Sequence, residues 1–360
     1  MHCILKQFLF EHQQRCKDAN IFSAYLRTFN LMKKLFTALL LILTYSTQAQ
    51  KPAHIKFTPT KFYSEFSSAN APVLTIRPGD TIHTWTVDCN GFDSLNHKRT
   101  DGDAVNPLTG PFYVEGAQPG DVLKVKLVYL GFSRNTAFSS LSFHERSLPA
   151  AEHAPFSKPT PVIWNLNLTK NIASPAMQST RLKNFTVNIH PFLGCLGVAP
   201  AGNPFPTTDS GPFGGNMDFT AVTTGATVYL PVFHQGALLT LGDGHAAQGD
   251  GELNWDAIET SLNVAFIVQL IKKPTVALQN PRVENRDYIM AVGADSSLDV
   301  ALKIATSNLL QWVQQLYHLT NEEATQVIGS SVEYKIAEIV DPKTEIVAMI
   351  KKSSLAKIGK

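Results

Sequence analysis

Apolar and polar positions change their period along this chain. Between residues 55 and 129, the runs 73–76, 81–87, 112–115 and 122–130 are rich in β-branched and aromatic side chains. Turn chemistry punctuates them, with Pro78-Gly79-Asp80 and Pro119-Gly120-Asp121 each just ahead of a run. That pattern predicts strands, and strands at roughly ten-residue spacing with no helical period between them predict an antiparallel sandwich, not a doubly wound parallel sheet. Residues 131–180 lose the rhythm. Pro149, Pro155, Pro159, Pro161 and Pro175 exclude long helices there, and the segment reads as an elaborated loop region. Strand patterns return at 184–189, 227–233 and 262–272, the last with Val264, Phe266, Val268 and Leu270 alternating, and the Gly-rich stretches between them read as loops. From 298 to 317 the apolar residues Leu298, Ala301, Leu302, Ala305, Leu309, Val313 and Leu316 follow helical spacing. Thr320-Asn321-Glu322-Glu323 predicts a capped second helix ending near Gly329, with strands near 332–340 and 345–350 to close the chain. The fold class is α+β, mainly β: an antiparallel β-sandwich-like core with a C-terminal helical hairpin.

Composition sharpens this. With 360 residues, 44% of them hydrophobic, and four Cys, the chain has material for a large core and is neither a disordered protein nor a disulfide scaffold. Six of its 31 basic and two of its 29 acidic side chains fall in residues 1–49, so residues 50–360 carry 25 basic against 27 acidic and offer no electrostatic footprint for nucleic acid. Residues 32–49 have the parts of a secretory signal: Met32, Lys33 and Lys34, then the apolar run 35–45, then Thr47-Gln48-Ala49 before a cut. Residues 1–31 read as an over-called start, and the mature chain as 50–360, exported to a periplasmic or extracellular space with no membrane span after signal cleavage. That mature chain reads as a single domain with a subdivision into a β-sandwich at 50–190 and an α+β part at 191–360. It keeps Cys89 and Cys195, read as two separate buried or site-adjacent thiols.

Chemistry concentrates in Leu241 to Leu253, LGDGHAAQGDGEL, where Asp243, His245, Asp250 and Glu252 fall within ten positions among flexible glycines. Mixed nitrogen and oxygen donors of that kind suit Zn²⁺, and all-oxygen sets suit Ca²⁺. The competing reading is a pair of Asp-Gly turns with solvated acids. Two further stretches carry the same ingredients: GPFGGNMDF with Asn216 and Asp218, and HTWTVDCNG with Asp88 at a strand end, where a turn or cap role competes. There is no H-E-x-x-H helix, no G-x-S-x-G elbow and no phosphate-binding loop, which removes zincin proteases, the usual α/β serine hydrolases and nucleotide enzymes.

Taken in order, PGDTIHTWTVDCNGFD, TGPFYVEGAQPGDVLKV, FLGCLGVAPAG, GPFGGNMDF, VYLPVFHQGALLTLGDGHAAQGDGEL and VEYKIAEIVDP resemble the acetamidase/formamidase family across residues 73–350. The resemblance implies a β-rich α+β fold, a homo-oligomer, and hydrolysis of a small-molecule amide of the formamide or acetamide type to ammonia and the acid. It implies a divalent metal ion, zinc before calcium, held by Asp88, Asp243, His245 and Glu252. Glu252 or Asp218 would shuttle a proton, and Asn216 or the GGN backbone would donate to the oxyanion. Many family members are cytoplasmic and shorter, whereas this chain adds a leader and a Pro-rich insert at about 133–175, which bears on the substrate more than on the reaction. Two other readings stand beside this one. Cys195 is a nucleophilic thiolate in the first, although its apolar and Gly neighbours favour a buried thiol. In the second, the chain is a non-catalytic envelope β-sandwich that binds a ligand or a structural metal ion.

Overall fold

The computed structural model describes residues 27–34, 51–156, 158, 160–177 and 181–359. The chain divides into two units, 1–51 and 52–360. Of the first, a helical stretch at 27–34 is described, and the apolar run 35–45 of the expected leader lies outside the described residues. Among the described residues no helix is long and apolar enough to cross a membrane.

The second unit is built on a nine-stranded sheet. Its order is His54–Lys56, Thr81–Trp85, Leu262–Ile271, Val122–Phe132, Thr227–Pro231, Arg282–Glu284, Tyr288–Asp295, Thr344–Lys351 and Glu333–Glu338. A six-stranded sheet runs Ser210–Gly211, Gly214–Asn216, Phe192–Gly197, Leu239–His245, Leu108–Val114 and Leu74–Ile76. Pairing is antiparallel except for two edge contacts, His54–Lys56 with Thr81–Trp85 and Leu74–Ile76 with Leu108–Val114. The two sheets close on one apolar core, with Phe112 of the smaller meeting Phe266 of the larger edge to face at 5.3 Å. Strands from before and after residue 190 interleave in both sheets.

Alternation within the large sheet creates a third layer. In Tyr288–Asp295, Met290 and Val292 face the core between the sheets, while Ile289 and Ala291 face the other way, against Ala301, Ala305, Leu309 and Val313 of the helix Leu298–Tyr317. The helix approaches so closely that a Cβ on Gly293 would run into the backbone of Ala301 and Ala305. The helix Asn321–Ser331 follows, opened by the expected capping box of Thr320 and Glu323. The architecture is therefore α+β and mainly β, a sandwich with a helical pair on one outer face.

Two expectations for the loops need correction. The Pro-rich segment is not irregular: Thr136–Ser140, Pro161–Asn167, Ile172–Pro175 and Val187–Asn188 form an antiparallel four-stranded sheet. Pro161 is tolerated because it is the first residue of its strand, and Val162, Trp164 and Leu166 alternate inward onto Ala173, Ile189, Ala246 and Ile258. The Gly-rich stretches 192–197 and 239–245 are also strands, fully buried along their length. Glycine marks a close approach of another group to a strand, and at the site it is carboxylates that approach.

Candidate active site

Leu239–His245 and Phe192–Gly197 pair so that Gly194 lies beside Asp243 on the facing strand. A Cβ on Gly194 would collide with Asp243 Oδ2 and Asp218 Oδ1, so its missing side chain is the space in which these acids meet His245. Asp218, Asp243 and Glu252 all hold φ between 41° and 54°. A left-handed backbone at a non-glycine residue costs roughly 1–3 kcal/mol, and such strain collects at functional sites.

His245 is the centre. Its Nε2 faces Glu259 Oε1 at 3.1 Å, Asp243 Oδ2 at 3.3 Å and Asp218 Oδ1 at 3.8 Å, all on buried side chains. Gln248 determines the ring's other edge. Its Nε2 donates to the carbonyls of Asp218 (2.8 Å) and Ala337 (2.9 Å), which leaves Oε1 to face His245 Nδ1 at 3.1 Å. The hydrogen-bond network therefore puts a proton on Nδ1, and in the neutral ring the Nε2 lone pair points at the three carboxylates. Phe192 packs edge to face on the imidazole at 4.8 Å.

The electrostatics are those of acids without enough cations. Burial would lower the pKa of His245, but Glu259 and Asp243 override it and hold the ring well above its usual value. Burial pushes Glu259 up to about 8 against the opposing pull of His245, and it raises Asp218 and Glu252 well above the carboxylate range. Asp218 Oδ1, Asp243 Oδ1 and Glu259 Oε2 are buried and have no hydrogen-bond partner. Ligand atoms converge within 4.8 Å in the sets Asp218–Asp243–His245, His245–Glu252–Glu259 and Cys89–Asp243–Glu259. Three buried carboxylates around one imidazole nitrogen, each with an oxygen that no donor answers, fit a divalent cation.

The structure gathers Asp218, Asp243, His245 and Glu252 from the expected set and adds Glu259, which the sequence reading missed. Glu259 carries no motif, and it reaches the site through a bridge to His245 just ahead of the strand Leu262–Ile271. Asp88 is a different case. Its Oδ1 accepts from the amides of Asn90 (3.0 Å) and Phe92 (2.9 Å), and its Oδ2 accepts from Arg134 at 2.6 Å. A carboxylate neutralised in that way closes a turn, and Asp88 is in none of the three converging sets. Asp250 is exposed and paired with Lys335 at the surface.

Asn216 also changes part. Its Nδ2 donates to Asp218 Oδ2 at 2.6 Å and to Asp341 Oδ2 at 2.5 Å, so both amide hydrogens are committed to carboxylates and none is left for an oxyanion. It clamps Asp218 instead. Cys195, fully buried, donates its thiol to Asn216 Oδ1 at 2.7 Å. Burial and the nearby Asp243 and Asp218 raise its pKa well above the thiol range, so it is a protonated structural donor and not a thiolate. Cys89 is likewise free and buried, which matches two separate thiols at or near the site.

Known proteins are similar to this chain in sequence and, among solved structures, in fold. A formamidase from Methylophilus methylotrophus is 25% identical over 343 residues, covering 75% of this chain and 83% of that one. The structure of an acetamidase from Bacillus halodurans superposes with a TM-score of 0.73 at 27% identity, over 85% of this chain and 100% of that one. An acetamidase from Yersinia enterocolitica gives the same TM-score at 26% identity, over 86% and 95%. The model of the Acetamidase/Formamidase family matches residues 61–210 and 205–351, spanning both sheets, the His245 cluster and the C-terminal helices, and this chain belongs to that family.

Proposed function

We propose that this chain is an exported, homo-oligomeric, metal-dependent hydrolase of short linear amides, which it converts with water to ammonia and the carboxylic acid. The observation that carries the reading is the convergence of the Asp218, Asp243 and Glu259 carboxylates on His245 Nε2, each of them keeping one oxygen that no donor answers. His245, Asp218, Asp243 and Glu259 would hold the ion, zinc by the mixed character of the donors. When bound, such an ion supplies polarisation of the amide carbonyl and acidification of water.

The remaining work falls to side chains. In hydrolysis the C–N bond breaks, a C–O bond forms, and a proton from water must reach the departing nitrogen. Glu252 is placed to carry that proton, because it belongs to the cluster and also lines the adjoining cleft, with Oε1 held by the Ala257 amide at 2.8 Å. Gln248 orients the imidazole and Asn216 holds Asp218, and supporting contacts of this kind tune ligands as much as the ligands themselves do. The leader at 32–49 supports export, which N-terminal sequencing of the protein from cell fractions tests.

Ammonia release from formamide, acetamide and longer linear amides decides the reaction, with metal content quantified before and after chelation. Release that vanishes with the metal and returns on reloading is the expected result. A folded, metal-replete sample that releases no ammonia from any amide would overturn the reading in favour of a binding protein.

A further inference from the structure

The cleft over Glu252 is much larger than formamide or acetamide requires. It encloses about 450 Å³, within the roughly 300–1,000 Å³ range of pockets that take ligands of many heavy atoms. Its floor is polar, with Gln248 and Glu252, the same residues that orient and adjoin His245. Phe143, Trp164, Val187 and Ile258 line its wall with apolar surface, beside the polar side chains of Asn188 and Asp256.

That wall is a built feature of the fold. Phe143 and Trp164 come from the Pro-rich insert, and Trp164 is held by its indole N–H donating to Ser139 Oγ at 2.9 Å and by an edge contact with Phe185 at 6.3 Å. The ring is also part of a small hydrophobic core with Val162, Leu166, Ala173, Ile189 and Ala246. An insert that served only as a surface loop would not need a buried tryptophan fixed at both ends. Polar chemistry at the floor and fixed apolar surface above it are the two halves of a site for an amide whose carbonyl end is reactive and whose acyl end is greasy.

We propose that this cleft is an acyl-side subsite, and that the preferred substrates are primary amides bearing an aryl or branched apolar acyl group in place of hydrogen or methyl. This inference rests on amide hydrolysis at the His245 cluster. The bonds made and broken are the same as for any amide, R–CO–NH₂ plus water giving R–COOH and NH₃, and only the group R is assigned by the cleft. Burial of R lowers the free energy of the bound states, by roughly fourfold in kcat/KM for each methylene that leaves water.

The test is kcat/KM for formamide, acetamide, isobutyramide and phenylacetamide, measured as ammonia release with the metal-replete full chain. The expected series rises by at least about tenfold from acetamide to phenylacetamide. Trp164→Ala should cut the phenylacetamide-to-acetamide ratio by a similar factor, and Val187→Phe, which fills the cleft without removing its wall, should do the same if the first variant does not fold. A flat or falling series, or a ratio unmoved by either variant, overturns the subsite and leaves amide hydrolysis standing. If no amide releases ammonia, it is the hydrolase reading that fails. The cleft is then judged by calorimetric titration with phenylacetamide, where binding at or below about 1 mM keeps it as an aryl-amide site and the absence of binding removes it.

Discussion

Two kinds of buried acid share this sandwich. Asp80 and Asp121, each closing a Pro-Gly-Asp turn, are only 2% and 1% exposed, yet the chain answers both carboxylates. Asp80 accepts from the amides of Ala53 and Arg77 and from the Arg77 guanidinium. Asp121 accepts from the amides of Gln118 and Lys273 and from Lys272 Nζ. Burial alone would raise their pKa values, but these donors outweigh it and hold both below the usual carboxylate range. Asp218, Asp243 and Glu259 are as deeply buried, and each keeps an oxygen with no donor. Burial is therefore not what separates structure from function here. At Asp80 and Asp121, which serve the fold, backbone amides and a basic side chain are built around the carboxylate. Around His245 the same chain withholds them, and it strains the backbone at Asp218, Asp243 and Glu252 to keep the oxygens together.

The strongest way to break that contrast is to remove the one group that gathers the unanswered acids. His245→Ala should abolish metal retention and lower turnover on the order of 10³-fold or more, since it deletes the only nitrogen donor of the cluster and frees its carboxylates to repel one another. Metal content by elemental analysis and ammonia release are read on the same sample. Full activity in the variant would show that the cluster is a structural curiosity and that the two kinds of acid do not differ in kind.

Arg134→Ala probes the other side. Asp88 belongs with the turn acids, and the Arg134–Asp88 pair is almost wholly buried, with side chains 6% and 2% exposed. Deleting the guanidinium strands a buried carboxylate at a cost of about 3 kcal/mol or more. The expected result is a large drop in denaturation midpoint with metal stoichiometry unchanged. Loss of the metal at an unaltered midpoint would instead return Asp88 to the ligand set.

This pair of acids also shows what a sequence can reveal. The helix Leu298–Tyr317 and its capped successor were legible because helical periodicity and a capping box are local signals, complete within a few turns. Asp218, Asp243, His245 and Glu252 stood out because glycines flank them and they crowd into short stretches. Asp88 entered the ligand set only through its strand end and the family resemblance, with a turn role competing, and the neutralising partner that decides between them is 46 residues away on a segment whose sheet the prolines concealed. Glu259 was invisible for the converse reason: it sits in an ordinary strand approach, and only the tertiary bridge to His245 gives it a role. The committed amide hydrogens of Asn216 belong to the same class, since Asp341 reaches it from 125 residues away. Composition names acids, but the donors that decide their use come from elsewhere in the chain.

The smallest effect tests whether an answered acid acts as the contrast requires. Asp121→Asn keeps the size of the side chain and removes its charge, so the turn amides of Gln118 and Lys273 and the ammonium of Lys272 lose a charge-assisted acceptor. The loss should be about 1–2 kcal/mol at pH 7. Because the folded pKa lies below the unfolded one, the carboxylate's contribution is fully present above the unfolded value of about 4 and fades as pH falls through the folded value. Denaturation curves for the parent and the variant should therefore stand apart at neutral pH and converge in acid. A gap that stayed constant from pH 7 to pH 2 would mean that the carboxylate's charge is not what holds the turn, and that Asp121 differs from the acids around His245 in its geometry alone.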